Sequence, residues 1–361
     1  MIFPLLFNVL IISSHLGMRY NITIQEILAK TMQVEANSQE EAELTVRQWY
    51  RNSNVVLSEA DYVSTDIITE SEPYYKSPNN DFTLIQGDCV DTLSKFSFGF
   101  DMIFADPPYF LSGGGISVQS GKIVCVDKGQ WDKPMAPEEM DAFNLRWLTA
   151  CREHMKENAT IWISGTHHNV FSVQQQLLKL GFKILNVITW AKTNPPPNIS
   201  CRYFTYSTEF IIWARKSPKV AHCFNYDLMK ELNGNKQMTD VWQLPAIGKW
   251  EKSCGKHPTQ KPLGVLARLI QASTSPGAWI LDPFSGSATT GIAANLLGRR
   301  YLGLEIEDEF LEMSKARRME LERPAIRNNY LERLAKARHV LPPDNFFVAG
   351  GDDLNYGVPW L

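Results

Sequence analysis

The sequence predicts an α/β protein built on a mainly parallel, twisted sheet flanked by helices, with a small α+β unit before it. Beyond residue 80, short apolar runs of strand length alternate with longer amphipathic patterns, as is typical of βαβ units. Two of the runs end in polar turns that contain proline, residues 106–109 (Asp-Pro-Pro-Tyr) and 282–287 (Asp-Pro-Phe-Ser-Gly-Ser). Because proline cannot continue a β-ladder, each strand must end there, at the sheet edge where α/β proteins bind ligands.

The composition is that of an ordinary globular protein. Of the 361 residues, 44% are hydrophobic and 21% are charged, and the formal net charge is −3. The six cysteines form no Cys-x-x-Cys pair and no zinc-like spacing with histidine. We therefore expect reduced thiols, no metal site and a cytoplasmic protein.

Residues 1–17 form an apolar leader. This stretch lacks a basic beginning and a small-residue cleavage site, and it is too short to span a bilayer. We therefore expect a disordered leader, or translation that starts at Met18, rather than membrane targeting.

Residues 18–72 are predicted to form a separate β-α-β unit. Residues 20–34 alternate polar and apolar side chains as a strand or hairpin does, and residues 62–69 indicate a second strand. Between them, Ser38 and Glu41 have the spacing of a capping box, which predicts the start of a helix.

A linker rich in Ser, Pro and Asn, residues 73–80, is predicted to lead into the main domain, residues 81–338, and a tail follows at 339–361. A long loop, residues 110–131, is expected beside the ligand site. The predicted strands are 81–86, 100–105, 159–164, 182–190, 209–215, 278–281 and 299–305. The predicted helices are 89–96, 137–155, 170–180, 263–273 and 288–297, with one or two more in 309–338.

Residues 192–256 are predicted to be an insert of low periodicity that contacts nucleic acid. From Lys192 to Lys261 there are eleven basic residues against five acidic ones, a net charge of +6, whereas residues 1–80 carry −5. Arginine and aromatic residues interleave after a proline run, as on surfaces that combine phosphate contacts with base stacking. From charge alone, a solvated basic face remains an alternative. The candidate contacts are Lys192, Asn194, Arg202, Tyr203 and Lys249.

The second turn has features of a nucleoside-binding loop. Gly286 precedes Glu305 by about twenty residues, the spacing at which dinucleotide-binding folds place an acid on ribose hydroxyls. The full G-x-G-x-x-G pattern is missing, which disfavours a pyrophosphate cofactor. Asp282 would instead direct a carboxylate at the ligand, as a cationic nucleoside without phosphate requires.

The first turn suits chemistry on an aromatic amine. Asp106 and the carbonyl of Pro107, held rigidly by Pro108, would accept the amine hydrogens and localise the nitrogen lone pair. Tyr109 would stack on a base taken out of a duplex, and a sulfonium methyl donor would react in line with the amine. Taken alone, this turn is also compatible with a simple rigid bend, and it is the second turn with Glu305 that favours catalysis.

These motifs make residues 82–320 resemble the β-class DNA amino-methyltransferases, in which the catalytic motif precedes the recognition insert and the cofactor loop comes last. The resemblance implies a Rossmann-like methyltransferase fold and S-adenosyl-L-methionine as cofactor. Residues 106–109 match the catalytic motif of the family, 282–287 its cofactor loop and 257–262 the segment beside the methionine end of the cofactor. The implied cofactor-binding residues are Asp88, Cys89, Asp106, His257, Thr259, Lys261, Asp282, Phe284, Ser285, Gly286, Ser287 and Glu305.

More narrowly, residues 106–112, 126–129 and 193–198 are similar to the second methylases of DpnII-type restriction–modification systems. This implies methylation of adenine N6 in GATC, in double-stranded and also single-stranded DNA, with a restriction endonuclease as functional partner and a homodimer left open. The alternatives are a cytosine-N4 methyltransferase, in which serine commonly replaces Asp106, and a non-catalytic DNA-binding regulator. The unit at 18–72 resembles the small DpnD-like domain.

Overall fold

The computed structural model divides the chain into two compact units, with the boundary between Glu72 and Pro73. No described helix is both long enough and apolar enough to cross a bilayer. The leader (1–17) and the tail (339–361) lie outside the described residues. The structure describes residues 20–36, 38–52, 54–58, 61–71, 73–95, 97–110, 115–119, 122–126, 134–195, 197–198, 201–255 and 257–336.

The first unit contains one helix and a two-stranded antiparallel sheet. β1 (Tyr20–Leu28) pairs with β2 (Tyr62–Ser71), and α1 (Gln39–Arg51) lies between them in sequence. Ser38 caps α1, because its hydroxyl accepts a 3.1 Å hydrogen bond from the backbone N–H of Glu41. The β-α-β order and the helix cap are those that the sequence predicts.

The second unit is built on a nine-stranded sheet. Its strands are β3 (Tyr75–Lys76), β4 (Phe82–Gln86), β5 (Phe100–Ala105), β8 (Met155–Gly165), β9 (Lys183–Lys192), β10 (Thr208–Arg215), β11 (Val241–Leu244), β12 (Trp279–Asp282) and β13 (Arg300–Glu305). A separate hairpin consists of β6 (Gly115–Gln119) and β7 (Lys122–Val126). The sheet order is β11-β9-β10-β8-β5-β12-β13-β4-β3. Strands β8, β5, β12, β13 and β4 are parallel neighbours, whereas β10 and β3 run antiparallel to theirs.

Helices cover both faces of this sheet. They are α2 (Cys89–Leu93), α3 (Pro137–Glu153), α4 (Val170–Lys179), α5 (Tyr226–Leu232), α6 (Leu263–Ser273), α7 (Thr289–Leu296), α8 (Asp308–Glu320) and α9 (Pro324–Lys336). Side chains of α2, α3 and α4 belong to the apolar cluster on one face, and side chains of α5 to α9 belong to the cluster on the other. The predicted α/β class, with a mainly parallel sheet between helices, is confirmed.

The sheet topology brings the two proline turns together. β5 and β12 are parallel neighbours, with Met102 opposite Ile280 and Ile103 opposite Leu281. The chain then proceeds from β5 to β8 on one side and from β12 to β13 on the other. A crevice opens where the connections diverge in this way, and both turns lie at its rim.

Two segments differ from the sequence prediction near the start of the large unit. Residues 73–80, expected as a linker, contain β3, which adds an antiparallel edge strand to β4. Residues 110–131, expected as a long loop, contain the hairpin formed by β6 and β7. A two-residue strand is too short to show a pattern, and the glycines before β6 and between the two hairpin strands favour a loop from sequence.

The predicted insert, residues 192–256, also differs, because part of it belongs to the core. Helix α5 buries Met229 and Leu232, and β11 pairs in parallel with β9 and buries Trp242 and Leu244. These four apolar residues form two isolated pairs in a polar sequence, and a single pair is too short to show a periodicity.

Candidate active site at the carboxyl edge of the sheet

A cleft of about 380 Å³ lies at the carboxyl ends of β4, β5, β12 and β13. Both proline turns line it, together with the segment that precedes α6 and the first residues after β4. All the residues that the sequence predicts as catalytic or cofactor-binding are among those lining it: Asp88, Cys89, Asp106, Pro107, Pro108, Tyr109, His257, Thr259, Lys261, Asp282, Phe284, Ser285, Gly286, Ser287 and Glu305.

Asp106, directly after β5, is oriented by two hydrogen bonds. Its Oδ1 accepts a 2.7 Å bond from the Tyr109 hydroxyl, and its Oδ2 accepts a 2.7 Å bond from the Lys261 ammonium. The Tyr109 oxygen is also 2.9 Å from Oγ of Ser164, at the end of β8. Tyr109 is only 6% exposed, and the Lys261 ammonium lies 5.2 Å from the centre of its ring. Besides lining the cleft, this tyrosine therefore fixes the carboxylate, a role that its place in the motif does not reveal.

The Lys261 ammonium connects Asp106 to a second carboxylate. It lies 3.7 Å from Oε2 of Glu209, and Oε1 of Glu209 is 2.6 Å from the ammonium of Lys192. Burial opposes the positive charge, but Asp106, Tyr109 and Glu209 outweigh it and raise the pKa of Lys261 well above its usual value. The sequence does not predict Glu209 as a site residue, because in sequence it is only a polar residue near the start of a strand.

The turn after β12 is held by Asp282. Its Oδ1 accepts from the backbone N–H of Phe284 at 3.1 Å, and its Oδ2 accepts from the Thr290 hydroxyl at 2.6 Å. Burial raises the pKa of Asp282 to about 7, against the effect of these two donors. At neutral pH this carboxyl is therefore divided between its neutral and ionised forms and can respond to a charged ligand.

Glu305, the last residue of β13, joins the cofactor loop to the turn that follows β13. Its Oε2 accepts from the N–H of Gly286 at 2.7 Å, and its Oε1 accepts from the N–H groups of Ile306 and Glu307 at 2.9 and 3.0 Å. Burial raises the pKa of Glu305 despite these donors. The Glu305 carboxylate lines the cleft, at the position that the sequence predicts. In this structure its hydrogen bond to the N–H of Gly286 also fixes the conformation of the cofactor loop.

The first turn after β4 is organised by Asp88. Its Oδ1 accepts from the N–H groups of Val90 and Asp91 at 2.9 and 3.3 Å, so that Asp88 is the N-cap of α2. Burial raises the pKa of Cys89 to about 12, which keeps its thiol protonated. A Gly-Asp pair at the end of a strand is compatible with a ligand-binding carboxylate and equally with a simple turn. The structure shows the capping role and places the residue in the cleft wall.

Arg317, which sequence reasoning missed, donates hydrogen bonds to the end of the cofactor loop. This arginine of α8 is 2% exposed and donates to the carbonyl of Ser287, and at 3.1 and 2.9 Å to the hydroxyls of Ser287 and Thr289. In sequence it is one of many charged residues in a helix, and only its burial distinguishes it.

The cleft fits a cationic nucleoside. Two carboxyls with raised pKa, the buried Asp282 and the half-buried Glu305, face it from neighbouring strands. Gly286 leaves room beside His257, since a Cβ atom at this position would lie 3.0 Å from Nε2 of that residue. Burial and the nearby Lys261 lower the pKa of His257 to about 4, so the imidazole adds no positive charge near neutral pH. Two carboxyls and a neutral imidazole suit the sulfonium and ammonium charges of S-adenosyl-L-methionine.

The predicted DNA-contacting residues differ in their exposure and in their partners. Arg202, Tyr203 and Lys249 are exposed, whereas the ammonium of Lys192 is bound to Glu209. Asn194 accepts a 2.9 Å hydrogen bond from the N–H of Ala246 and so connects two parts of the predicted insert.

An aromatic surface borders these residues. Phe204 is 97% exposed, Tyr203 and Tyr206 are each 58% exposed, and the Tyr206 ring stacks on His167 with centroids 4.8 Å apart. His167 follows the carboxyl end of β8, which neighbours β5. The aromatic surface therefore lies at the same edge of the sheet as Asp106.

Comparisons with known proteins agree with this geometry. Residues 100–316 match the family described as DNA methylase, and residues 20–65 match the DpnD/PcfM-like protein family. Type II methyltransferase M2.MboI of Moraxella bovis is 56% identical to this chain, covering 73% of it and 97% of the relative. Type II methyltransferase M2.DpnII of Streptococcus pneumoniae is 55% identical, covering 68% of this chain and 92% of the relative.

Solved structures show the same fold. The crystal structure of the M1.HpyAVI–SAM complex matches with a TM-score of 0.51 at 26% identity, over 65% of this chain and 98% of that one. The PvuII DNA methyltransferase (cytosine-N4-specific) matches with a TM-score of 0.55 at 16% identity, over 72% of this chain and 95% of that one. The expected S-adenosyl-L-methionine-dependent class is thereby confirmed, and the chain belongs to the DNA methylase family.

Proposed function

We propose that the protein transfers the methyl group of S-adenosyl-L-methionine to the exocyclic N6 amine of an adenine extruded from DNA. The observation that supports this most directly is the environment of Asp106. Its carboxylate lies at the cleft, fixed on one side by Tyr109 and on the other by the Lys261 ammonium. A rigid, charged acceptor in a partly buried cleft is what a weakly nucleophilic amine needs.

The chemistry follows from the acceptors on this turn. The lone pair of an aromatic amine is delocalised into its ring, so the amine attacks poorly until its hydrogens are held by aligned acceptors. Asp106 and the backbone carbonyl of Pro107 can supply these acceptors, with Pro107 and Pro108 limiting backbone motion. When nitrogen gains the methyl group it must lose one proton, which can leave along the hydrogen bond to Asp106 and pass to water. The target base must be rotated out of the helix to reach this position.

The cofactor side of the cleft acts by binding and positioning. S-adenosyl-L-methionine supplies an electrophilic methyl group on a positively charged sulfur. Asp282 and Glu305 are the carboxyls that would hold the cationic nucleoside, and Arg317 keeps the loop that carries Gly286 in place. Holding both reactants in this geometry contributes a large part of the rate in such transfers.

We assign adenine rather than cytosine because residue 106 is aspartate, whereas serine is common there in cytosine-N4 enzymes. The similarity of residues 106–112, 126–129 and 193–198 to DpnII-type second methylases supports GATC as the first site to test. The same similarity supports a role in a restriction–modification system, with a cognate endonuclease as functional partner and a homodimer as a possible assembly. The DNA surface that we propose contains Asn194, Arg202, Tyr203 and Lys249.

Product analysis tests the proposal. The full chain would be incubated with methyl-tritiated cofactor and a duplex that contains one GATC, or its separated strands, and the DNA would be hydrolysed to nucleosides. We expect label in N6-methyldeoxyadenosine and none with a duplex in which the self-complementary GGCC replaces the site. Label in N4-methyldeoxycytidine would establish the cytosine alternative. Cofactor and DNA binding without label would establish a non-catalytic DNA-binding protein.

A further inference from the structure

We propose that Glu209 is a positioning residue for Asp106, acting through Lys261, and that Lys192 anchors Glu209 instead of binding DNA phosphate. The three side chains and Asp106 form a continuous chain of alternating charge, with contacts of 2.6, 3.7 and 2.7 Å. The inference deepens the proposed function, on which it rests, since it concerns how the acceptor for the target amine is kept available.

The sheet topology explains how Glu209 reaches the site. β10 runs antiparallel to both of its neighbours, so its first residues lie at the edge where the parallel strands end. Glu209 is the second residue of β10 and lies opposite Trp190 of β9, while Lys192 is the last residue of β9. The antiparallel strand β10 thus places the carboxylate of Glu209 at the cleft edge. The neighbouring strand β9 places the ammonium of Lys192 at the same edge.

The alternation of charge makes the burial tolerable. The side chains of Lys192, Glu209, Lys261 and Asp106 are 19, 14, 9 and 14% exposed, and their formal charges sum to zero. A buried ion that loses its partner is strongly destabilised, whereas a paired and hydrogen-bonded one is not. Each inner member of this chain contacts an opposite charge on both sides, so Lys261 is shared between two carboxylates.

This sharing matters for catalysis. Asp106 must accept a hydrogen bond from the amine while its Oδ2 already accepts one from Lys261. Asp106 is already the nearer of the two carboxylates, and if the charge on Glu209 is removed it is the one carboxylate left at ion-pair distance from Lys261 among the described residues. The ammonium should then bind Asp106 more tightly and compete with the amine. The cofactor loop would be unaffected, because it is held by β12, β13 and α8.

Lys192 is directed into this network. Its ammonium is 2.6 Å from Glu209 and 5.3 Å from the centre of the Trp190 ring. A lysine that neutralises a phosphate would have to leave both contacts. We therefore expect it to contribute to the rate of transfer and not to the salt dependence of DNA binding.

The variants Glu209→Gln, Glu209→Asp and Lys192→Met test this inference in the full chain. The control is Glu157→Gln, which removes the carboxylate of another Glu–Lys pair, 2.8 Å from Lys216 and away from the cleft. The measurements are the single-turnover rate of adenine methylation, the Kd of the cofactor, and the slope of log Kobs for DNA against log salt. Thermal unfolding of each variant establishes that it is folded.

For Glu209→Gln we expect the single-turnover rate to fall about tenfold, as for coupled members of one ion-pair network, with cofactor Kd unchanged. Glu209→Asp should recover part of the rate, Lys192→Met should slow transfer with the wild-type salt slope, and Glu157→Gln should match wild type. A wild-type rate in Glu209→Gln, or a loss of cofactor affinity that accounts for its slower rate, would overturn the proposal. So would a salt slope lower by about 0.9 in Lys192→Met, which indicates one lost phosphate contact. Failure of the wild-type chain itself to form N6-methyladenine would instead refute the proposed function.

Discussion

The hydroxyl of Tyr109 donates a 2.7 Å hydrogen bond to Oδ1 of Asp106, so the fourth residue of the turn orients the carboxylate of the first. Burial and the adjacent Asp106 raise the pKa of Tyr109 well above its usual value, which keeps the hydroxyl protonated and able to donate. Ser164, at the end of the neighbouring strand, is 2.9 Å from the same oxygen and connects the turn to β8.

This relationship predicts the effect of Tyr109→Phe. The substitution keeps the ring but removes a hydrogen bond to a charged group, which is worth about 1.5–3 kcal/mol. We expect kcat to fall about 10- to 100-fold with little change in the Kd of DNA. Tyr109→Ala, which also removes any stacking on the target base, should cost a further 1–3 kcal/mol or so. Steady-state kinetics on both variants separate the two roles, and wild-type kcat in Tyr109→Phe would show that the hydroxyl is dispensable.

Asp106→Ala should abolish methyl transfer while leaving cofactor affinity largely intact. The carboxylate contacts Tyr109 and Lys261 and not the loop at Gly286, so its removal eliminates the amine acceptor and leaves the contacts of that loop in place. Calorimetric titration with the cofactor and a tritium-transfer assay measure the two quantities on one preparation. Turnover at the wild-type rate would refute the assigned role.

The residues of the site were predictable from sequence because each motif directly follows or precedes a regular element. The strands that end at Ala105 and Asp282 have short, continuous apolar runs, and prolines fix where they stop. The helix predicted at 263–273 is the observed α6. Local chemistry was sufficient at these places, since the turn residues themselves determine both the strand ends and the positions of their side chains.

The residues that sequence reasoning missed act through contacts distant in the chain. Glu209 reaches Lys261 only because β10 is antiparallel, and no local pattern gives the direction of a strand. Arg317 is separated by about thirty residues from the loop that it supports. Trp242 and Leu244 become core residues only when β11 pairs with β9.

The affinity for the cofactor should increase between pH 6 and pH 8. Burial raises the pKa of Asp282 to about 7, so its ionised fraction grows from about one tenth to about nine tenths over this range. A cationic ligand binds the ionised form better. His257, whose pKa burial lowers to about 4, does not titrate in this window. Calorimetric titration at several pH values gives the dependence.

Asp282→Asn supplies the control for this titration, because any titration of the cofactor itself affects both proteins equally. The variant should lose the part of the pH dependence that Asp282 contributes, and an unchanged profile would contradict the assignment.

The stability of the wild-type protein without cofactor should change in the opposite sense to the cofactor affinity, falling as pH rises. The folded carboxyl retains a proton up to about pH 7 that the unfolded chain releases near its ordinary pKa of 3.8, so stability should fall as pH rises between these values.

Arg202→Gln and Lys249→Gln should each flatten the salt dependence of DNA binding. Both side chains are exposed in the basic part of the chain, and each lost phosphate contact lowers the slope of log Kobs against log salt by about 0.9. Lys179→Gln is a matched control, because this exposed lysine ends α4 at the opposite edge of the sheet. Fluorescence anisotropy between 50 and 200 mM salt, roughly the range over which such contacts change affinity strongly, measures the slopes. Slopes equal to that of the wild type in all three variants would place the DNA surface elsewhere.

Gly286→Ala should weaken cofactor binding, and Gly298→Ala separates that effect from backbone strain. Both glycines have positive φ, +51° and +71°, so alanine costs about 1–2 kcal/mol of stability at either position. At Gly298 a new Cβ atom has no neighbour within 4 Å, whereas at Gly286 it lies 3.0 Å from Nε2 of His257, at the cleft wall. Both variants should therefore lose stability in thermal unfolding, Gly286→Ala the more because of this contact, but only Gly286→Ala should raise the cofactor Kd. Equal cofactor affinities in the two variants would show that the loop does not depend on the space beside His257.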